Sequence, residues 1–412
     1  MHAKFQSAYR QHNSCETASI RIFGDIQELL VEKDYVALIT LDSSAAFDTV
    51  DHNVLITKLK RHFKINGNAL ALIKSYLKDR TFSVVVGDEI STPKSLDCGV
   101  PQGSLLGPLL YILYTKEIQN IVKNCKIRVH MYADDCQLYL SFKSDTTISA
   151  QEKANNCLTK IKYWMDCNFL KLNPDKTTLK IFRPNKVPIP FQITYNKQII
   201  QPIDIINILG VRIKNDMDFT AFISRKIQIC HLHLRNLYHI RPCLTFKSRV
   251  TMVTNLVLSN LDYCNAILIC SKKKEIKPLQ LTLNRAMRFI FYLRLRTHIT
   301  PFLKRLHILP IEFRIRYKTC LIAFKIFNKL APSYLIDKFN IFRPSTSMDL
   351  RVGRGRDVFM FEEELNKADT IYTNIKSEWN QLPLQIRTIN NINNFKVQLK
   401  THFYRMAFES AT

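Results

Sequence analysis

Apolar positions along the chain change period several times, and each change marks an element. Residues 15–31 show helical spacing, with Ile20, Phe23, Ile26, Leu29 and Leu30 on one side. Residues 35–41, Tyr-Val-Ala-Leu-Ile-Thr-Leu, are an almost unbroken apolar run, which reads as a buried strand ending at Asp42. Asp51 is placed to cap a helix carrying Leu55, Ile56, Leu59 and Phe63. Residues 69–77 predict another short helix, and residues 82–86 and 94–98 a strand pair around Gly87-Asp88. A glycine loop at 99–104 leads into a helix running to about Val122. Residues 127–131 and 136–142 alternate, so the four residues between them, Tyr132-Ala133-Asp134-Asp135, read as a tight turn with both acids at its tip.

Residues 148–165 predict a helix, 170–182 a strand–turn–strand around Asn173-Pro174-Asp175-Lys176, and 192–213 further hairpins. From about residue 221 the spacing becomes helical and stays so, clearest at 249–261, 278–293 and 311–330. Residues 339–357 hold Pro, Ser, Gly and Arg and read as a linker. Residues 362–408 form a last, partly helical segment with Trp379.

Composition narrows the partners. The 412 residues are 46% hydrophobic, enough for a sizeable core and against a disordered chain. Lys+Arg 60 against Asp+Glu 34 gives +26, which suits a polyanion. The excess is uneven: residues 221–330 hold 21 Lys/Arg against 3 Asp/Glu, a net +18. No apolar run is long enough to span a bilayer, and the first residues lack the apolar core of a signal peptide. That leaves nucleic acid ahead of a membrane as partner. The 11 cysteines include no Cys-x-x-Cys pair and read as reduced thiols of an intracellular protein, in nucleus or cytoplasm.

Three acids carry the candidate chemistry: Asp42 at a strand end, Asp134 and Asp135 at a hairpin tip. Asp-Asp is also a good turn dipeptide with no further meaning. Crowded carboxylates repel unless a cation neutralises them, and hard oxygen ligands suit magnesium. Three converging acids can hold two such ions, a known device for in-line displacement at phosphorus.

At this point the residues resemble a family. Residues 41–52, Leu-Asp-Ser-Ser-Ala-Ala-Phe-Asp-Thr-Val-Asp-His, resemble motif A of the reverse transcriptases of non-LTR (LINE-type) retrotransposons. Gly99-Val100-Pro101-Gln102-Gly103-Ser104 with Leu106-Gly107-Pro108 resembles motif B, Tyr132-Ala133-Asp134-Asp135 motif C, and residues 172–177 motif D. Leu209-Gly210 resembles motif E, the primer grip. The likeness extends through Leu261-Asp262-Tyr263-Cys264-Asn265 and Trp379-Asn380-Gln381-Leu382-Pro383 to the tails of jockey-like elements, and these phrases set the chain apart from telomerase and group II intron maturases.

The resemblance implies an α+β, right-hand polymerase fold: a palm with an antiparallel sheet, partial fingers, and an α-helical basic thumb and C-terminal region. The expected division is 1–220, 221–335 and 336–412. It implies RNA-directed DNA polymerisation, with an RNA template, a DNA primer or target, dNTPs, and two Mg²⁺ ions for which Mn²⁺ can substitute. Asp42, Asp134 and Asp135 match the metal ligands and Lys176 a proton donor to pyrophosphate. Phe47 matches the aromatic gate against a ribose 2′-OH. Gln102 and Gly103, with Tyr132, match the nucleotide-contact set, and Arg10 a fingers arginine. Asp48 and Asp51 read as structural acids, and His52 shows no partner. Such elements also encode an endonuclease and a longer fingers region upstream; only about forty residues precede Asp42 here, so the chain reads as a fragment or a decayed copy. The alternative function is a nucleic-acid-binding remnant that does not polymerise.

Overall fold

The computed structural model describes residues 4–32, 34–44, 47–184, 187–214, 217–341, 359–362 and 368–409. Most of the expected linker, residues 342–357, lies outside them. The chain forms two compact units: residues 1–11 with 33–204, and residues 12–32 with 205–412.

The first unit is built on four strands, β1 (Tyr35–Leu41), β2 (Arg128–Tyr132), β3 (Asp135–Phe142) and β4 (Thr178–Phe182). They pair in the order β4-β1-β3-β2, every neighbour antiparallel. β1 sits inside the sheet, which is why its sequence is apolar on both faces; all but Thr40 are buried. One face carries Ala37, Ile39, Leu138, Leu140, Leu179 and Ile181. Helix Thr147–Cys167 adds Ala154, Cys157, Leu158 and Ile161, and helix Leu106–Thr115 adds Leu110 and Tyr114, to the same core. Residues 5–7 lie along the free edge of β2: Met131 N donates to Phe5 O and Ser7 N to Met131 O, at 2.8 and 2.9 Å. Residues 5–7 therefore cover a sheet edge.

Several boundaries differ from expectation. The helix expected to reach Val122 divides into Leu106–Thr115 and Ile118–Asn124. The expected pair at 82–86 and 94–98 is a narrow exposed arm, with Thr81–Phe82 against Lys94–Ser95 and Val85–Val86 against Glu89–Ile90. Without a packed face, little holds a longer ladder together.

The second unit is mainly helical. Ser14 caps helix Cys15–Val31 by accepting from Thr17 N. A hairpin, Ile206–Ile208 with Val211–Ile213, precedes helix Thr220–Ile240. The helix expected at 249–261 is Phe246–Val253 followed by a π-helical stretch, Thr254–Leu258, and a short turn, Ser259–Asp262. The helix expected from Pro278 begins at Lys273, where Lys272 N donates to Glu275 Oε2. Pro278 thus lies inside a helix, in its second turn, where it leaves the Lys274 carbonyl without the usual donor four residues on. Helices Ile311–Phe327, Ile371–Asn380 and Ile392–Phe408 enclose an aromatic cluster around Trp379. Buried Lys226 donates to the carbonyls of Asn260 and Tyr263 at 2.6 and 2.5 Å, satisfying the end of the Ser259–Asp262 turn. Burial pulls its ammonium down to about 8.

Candidate active site

The register between β1 and β3 decides which acids meet. Leu41 stands opposite Cys136, so Asp42, one residue past β1, comes level with Asp135. Tyr132 pairs with Asp135, leaving Ala133 and Asp134 as the two-residue turn. The acids therefore differ from the expectation that both sit at the tip: Asp134 is in the turn and Asp135 begins β3. Burial raises Asp134 first, and Asp42 adds to it, while its own backbone amide and Lys176 pull it back. Asp135 is pushed up to about 6 by burial and then by the charges of Asp134 and Asp42. The three carboxylates thus share one electrostatic neighbourhood.

Lys176 enters the same neighbourhood from another loop. Asn173 N donates to Asp42 O at 2.9 Å, and Ser43 pairs with Leu172, which holds the 173–176 turn beside the end of β1. Lys176 Nζ then lies 3.3 Å from Asp42 Oδ2. Among the described residues no group of three or more His, Cys, Asp or Glu side chains is gathered closely enough to hold a metal ion. The donor chemistry fits a hard divalent cation, because the acids are mutually repelling and one already draws an ammonium.

The turn itself is held by a residue that sequence reading missed. Ala133 is in the left-handed region, φ 54°, which costs a non-glycine residue roughly 1–2 kcal/mol. Gln6, fully buried, clamps it from both sides: its Oε1 accepts from Ala133 N at 3.0 Å and its Nε2 donates to Ala133 O at 3.1 Å. Arg10 in turn donates to Gln6 O at 2.8 Å, so in this structure that guanidinium supports the clamp. Gln6→Ala should loosen the tip, raising exchange of the Ala133 amide by about tenfold or more, since both bonds are lost at once. Unchanged exchange at Ala133 would show that the β2–β3 ladder alone holds the turn.

A second set of bonds ties the segment after Asp42 to the glycine loop. Gly99 N donates to Val50 O and Val100 N to Phe47 O, each at 2.8 Å. His52, which showed no partner in sequence, has Nε2 2.7 Å from Gly99 O. Gly99 is at φ +89°, and a Cβ there would stand 2.9 Å from Asp48 O, so no larger residue fits without moving backbone. Gln102 Nε2 donates to Asp48 Oδ1 at 3.0 Å, so Asp48 orients Gln102. Gly103, φ +80°, follows in the same exposed loop. Asp51 caps helix His52–Phe63 through Val54 N, as its position predicted. The Phe47 ring lies 4.7 Å from that of Tyr111, and the residue is half-buried.

In the second unit, Leu209 and Gly210 form the tip of the 206–213 hairpin, both at positive φ. Tyr263 holds that tip by donating its hydroxyl to Leu209 O at 2.6 Å.

Residues 2–213 match the family model described as reverse transcriptase (RNA-dependent DNA polymerase). The chain is 29% identical over 298 residues to the probable RNA-directed DNA polymerase from transposon BS of Drosophila melanogaster, covering 69% of this chain and 32% of that protein. It is 27% identical over 226 residues to the RNA-directed DNA polymerase from mobile element jockey of the same organism, covering 54% and 24%. The chain therefore spans about a third or less of the length of these relatives. Among solved structures it is similar to apo telomerase from Candida tropicalis, with TM-score 0.40 and 15% identity over 79% of this chain and 55% of that one. No helix among the described residues is long and apolar enough to cross a membrane.

Proposed function

We propose, because this chain belongs to the reverse transcriptase (RNA-dependent DNA polymerase) family, that it extends a DNA primer on an RNA template from dNTPs, as part of a jockey-like non-LTR retrotransposon. The observation that carries this reading is the shared neighbourhood of Asp42, Asp134 and Asp135, with Lys176 against Asp42. Residues 1–220 would serve as palm and partial fingers, 221–335 as a basic thumb, and 336–412 as a C-terminal segment.

Members of this family generally use divalent metal ions. Asp42, Asp134 and Asp135 would hold two Mg²⁺, or Mn²⁺ in their place, which would supply charge neutralisation at the reacting phosphorus. The chain's own residues do the rest. Lys176 is a proton source for departing pyrophosphate once freed from Asp42. Gln102, oriented through Asp48, and Gly103 contact the incoming nucleotide, with Tyr132 beside the acids. Arg10 reaches template or phosphate if released from Gln6. Phosphoryl transfer asks little more than positioning and charge.

The remnant reading, binding without polymerisation, is favoured by one observation: among the described residues the acids are not drawn into a closed ligand set. Primer extension on a poly(A) template with an oligo(dT) primer decides between them. Extension of the primer with dNTPs by the purified chain supports the polymerase, and strand binding with no extension supports the remnant.

The same assay tests Phe47 in a chain that extends. A 2′-OH would collide with the ring, and overpacking a tight site costs about 1–3 kcal/mol, or roughly tenfold to a hundredfold in selectivity. Phe47→Ala should keep using dNTPs while accepting rNTPs that much better. An unchanged ratio of the two efficiencies in a folded, active variant removes Phe47 from the nucleotide site and leaves it as a packing partner of Tyr111.

A further inference from the structure

Leu70, Ile73 and Leu77 recur at helical spacing in Gly67–Leu77 and seat this short helix on the core of the first unit. Tyr76, three residues past Ile73, falls on the same face. Its ring packs against that core, and its hydroxyl reaches the glycine loop. Tyr76 belongs to none of the strings that carry the family resemblance.

The hydroxyl meets Ser104 Oγ at 2.6 Å. Ser104 Oγ also donates to Pro101 O at 2.7 Å and accepts from Gly107 N at 3.0 Å. A hydroxyl has one proton to give and two lone pairs to accept with. The proton of Ser104 is spent on Pro101, so Tyr76 is the donor in the bond between them. The bond from Ser104 back to Pro101 closes a tight turn over residues 101–104, with Gly103 at φ +80° reversing the chain. The turn also sits hard on the start of helix Leu106–Thr115: a Cβ at Gly107 would stand 2.8 Å from Pro101 O and 2.9 Å from Ser104 Oγ. Gln102 and Gly103, between the two bonded residues, are exposed. Little packing holds them, so the shape of the turn depends on its hydrogen bonds. Gln102 is then fixed twice, by Asp48 at its side chain and by the Ser104 node at its backbone.

We propose that Tyr76 is a positioning residue for the incoming nucleotide: through Ser104 it fixes the turn that carries Gln102, and so sets how tightly the nucleotide is held. The role rests on the polymerase reading of this site.

The test is steady-state primer extension by the full chain on poly(A) with an oligo(dT) primer and varied dTTP. Tyr76→Phe keeps the ring and removes the hydroxyl. It should raise KM for dTTP about threefold to tenfold, the worth of one neutral hydrogen bond, with kcat within about twofold. A merely structural role would lower kcat by lowering the fraction of folded chain and leave KM where it was. Ser104→Ala should raise KM at least as much, and Tyr76→Phe added to Ser104→Ala should raise it no further, because both act through one node. Exchange of the Gly107 amide in the free chain should rise about threefold in Tyr76→Phe. Unchanged KM in Tyr76→Phe, effects of the two substitutions that simply multiply, or unchanged exchange at Gly107 would each overturn the proposal while leaving the polymerase reading intact. An unaltered chain that extends no primer would overturn the polymerase reading and this role with it.

Discussion

Asp135→Asn should abolish primer extension, by about a thousandfold or more, while leaving the metal-free fold at least as stable as before. Several kcal/mol of charge stabilisation depend on the metal-binding acids, and each 1.36 kcal/mol is tenfold in rate. The stability half follows from the carboxyl's own titration. Asp135 rises from an ordinary 3.8 to about 6, through burial and the charges of Asp134 and Asp42. A raised acid favours the fold while protonated. That contribution is complete below about pH 4 and is lost as pH climbs through 6. Asp135 is nonetheless an exposed residue, so screening holds the difference to about 1 kcal/mol or less. The Asp135→Asn and unaltered chains should therefore melt together near pH 4 in chelator and separate by pH 8, the variant higher. A variant that melts lower at every pH would mean that Asp135 is a structural acceptor; extension within tenfold of the unaltered chain would remove it from the catalytic set.

Trp379→Ala should be the most damaging single substitution in the helical unit. The indole is fully buried, with Phe327 stacked at 5.2 Å, Phe395 at 5.8 Å and Phe361 at 6.1 Å, and its Nε1 donates to Phe359 O at 2.9 Å. These partners come from helices Ile311–Phe327 and Ile392–Phe408 and from residues 359–362, so one side chain joins three segments. Truncating such a residue costs about 3–5 kcal/mol, transfer and cavity together. Trp379→Phe should recover most of the packing but leave the Phe359 carbonyl only the longer bond from Arg387 Nη1, at 3.4 Å, a loss of about 1 kcal/mol. Urea unfolding followed by tryptophan-independent circular dichroism reads both. A loss under about 1 kcal/mol for the alanine variant would mean that the cluster repacks around the gap.

What the sequence determined by itself was the local part. An apolar run long enough for one strand located Tyr35–Leu41, and alternation on either side of Tyr132-Ala133-Asp134-Asp135 located the hairpin. Helical spacing found Cys15–Val31 to the residue, and Asp51 announced its cap. The order of short motifs named the family, because each is a contiguous string whose chemistry needs neighbouring residues. Tertiary structure decided everything that joins distant strings. Gln6 and Ala133 are 127 residues apart, and nothing around Gln6 marks it as a clamp. His52 found its acceptor only when residues 47–52 and 98–102 closed on each other. Residues 12–32 read as part of the N-terminal region, yet they pack with residues 205–412, and the 206–213 hairpin goes with them. Periodicity records which face of an element is apolar but not which other element covers it. The acids show the same division. Their identity was legible as three carboxylates near strand ends; that Asp135 opens a strand while Asp134 forms the turn follows from the register of β2 on β3, which the pairing of whole strands sets.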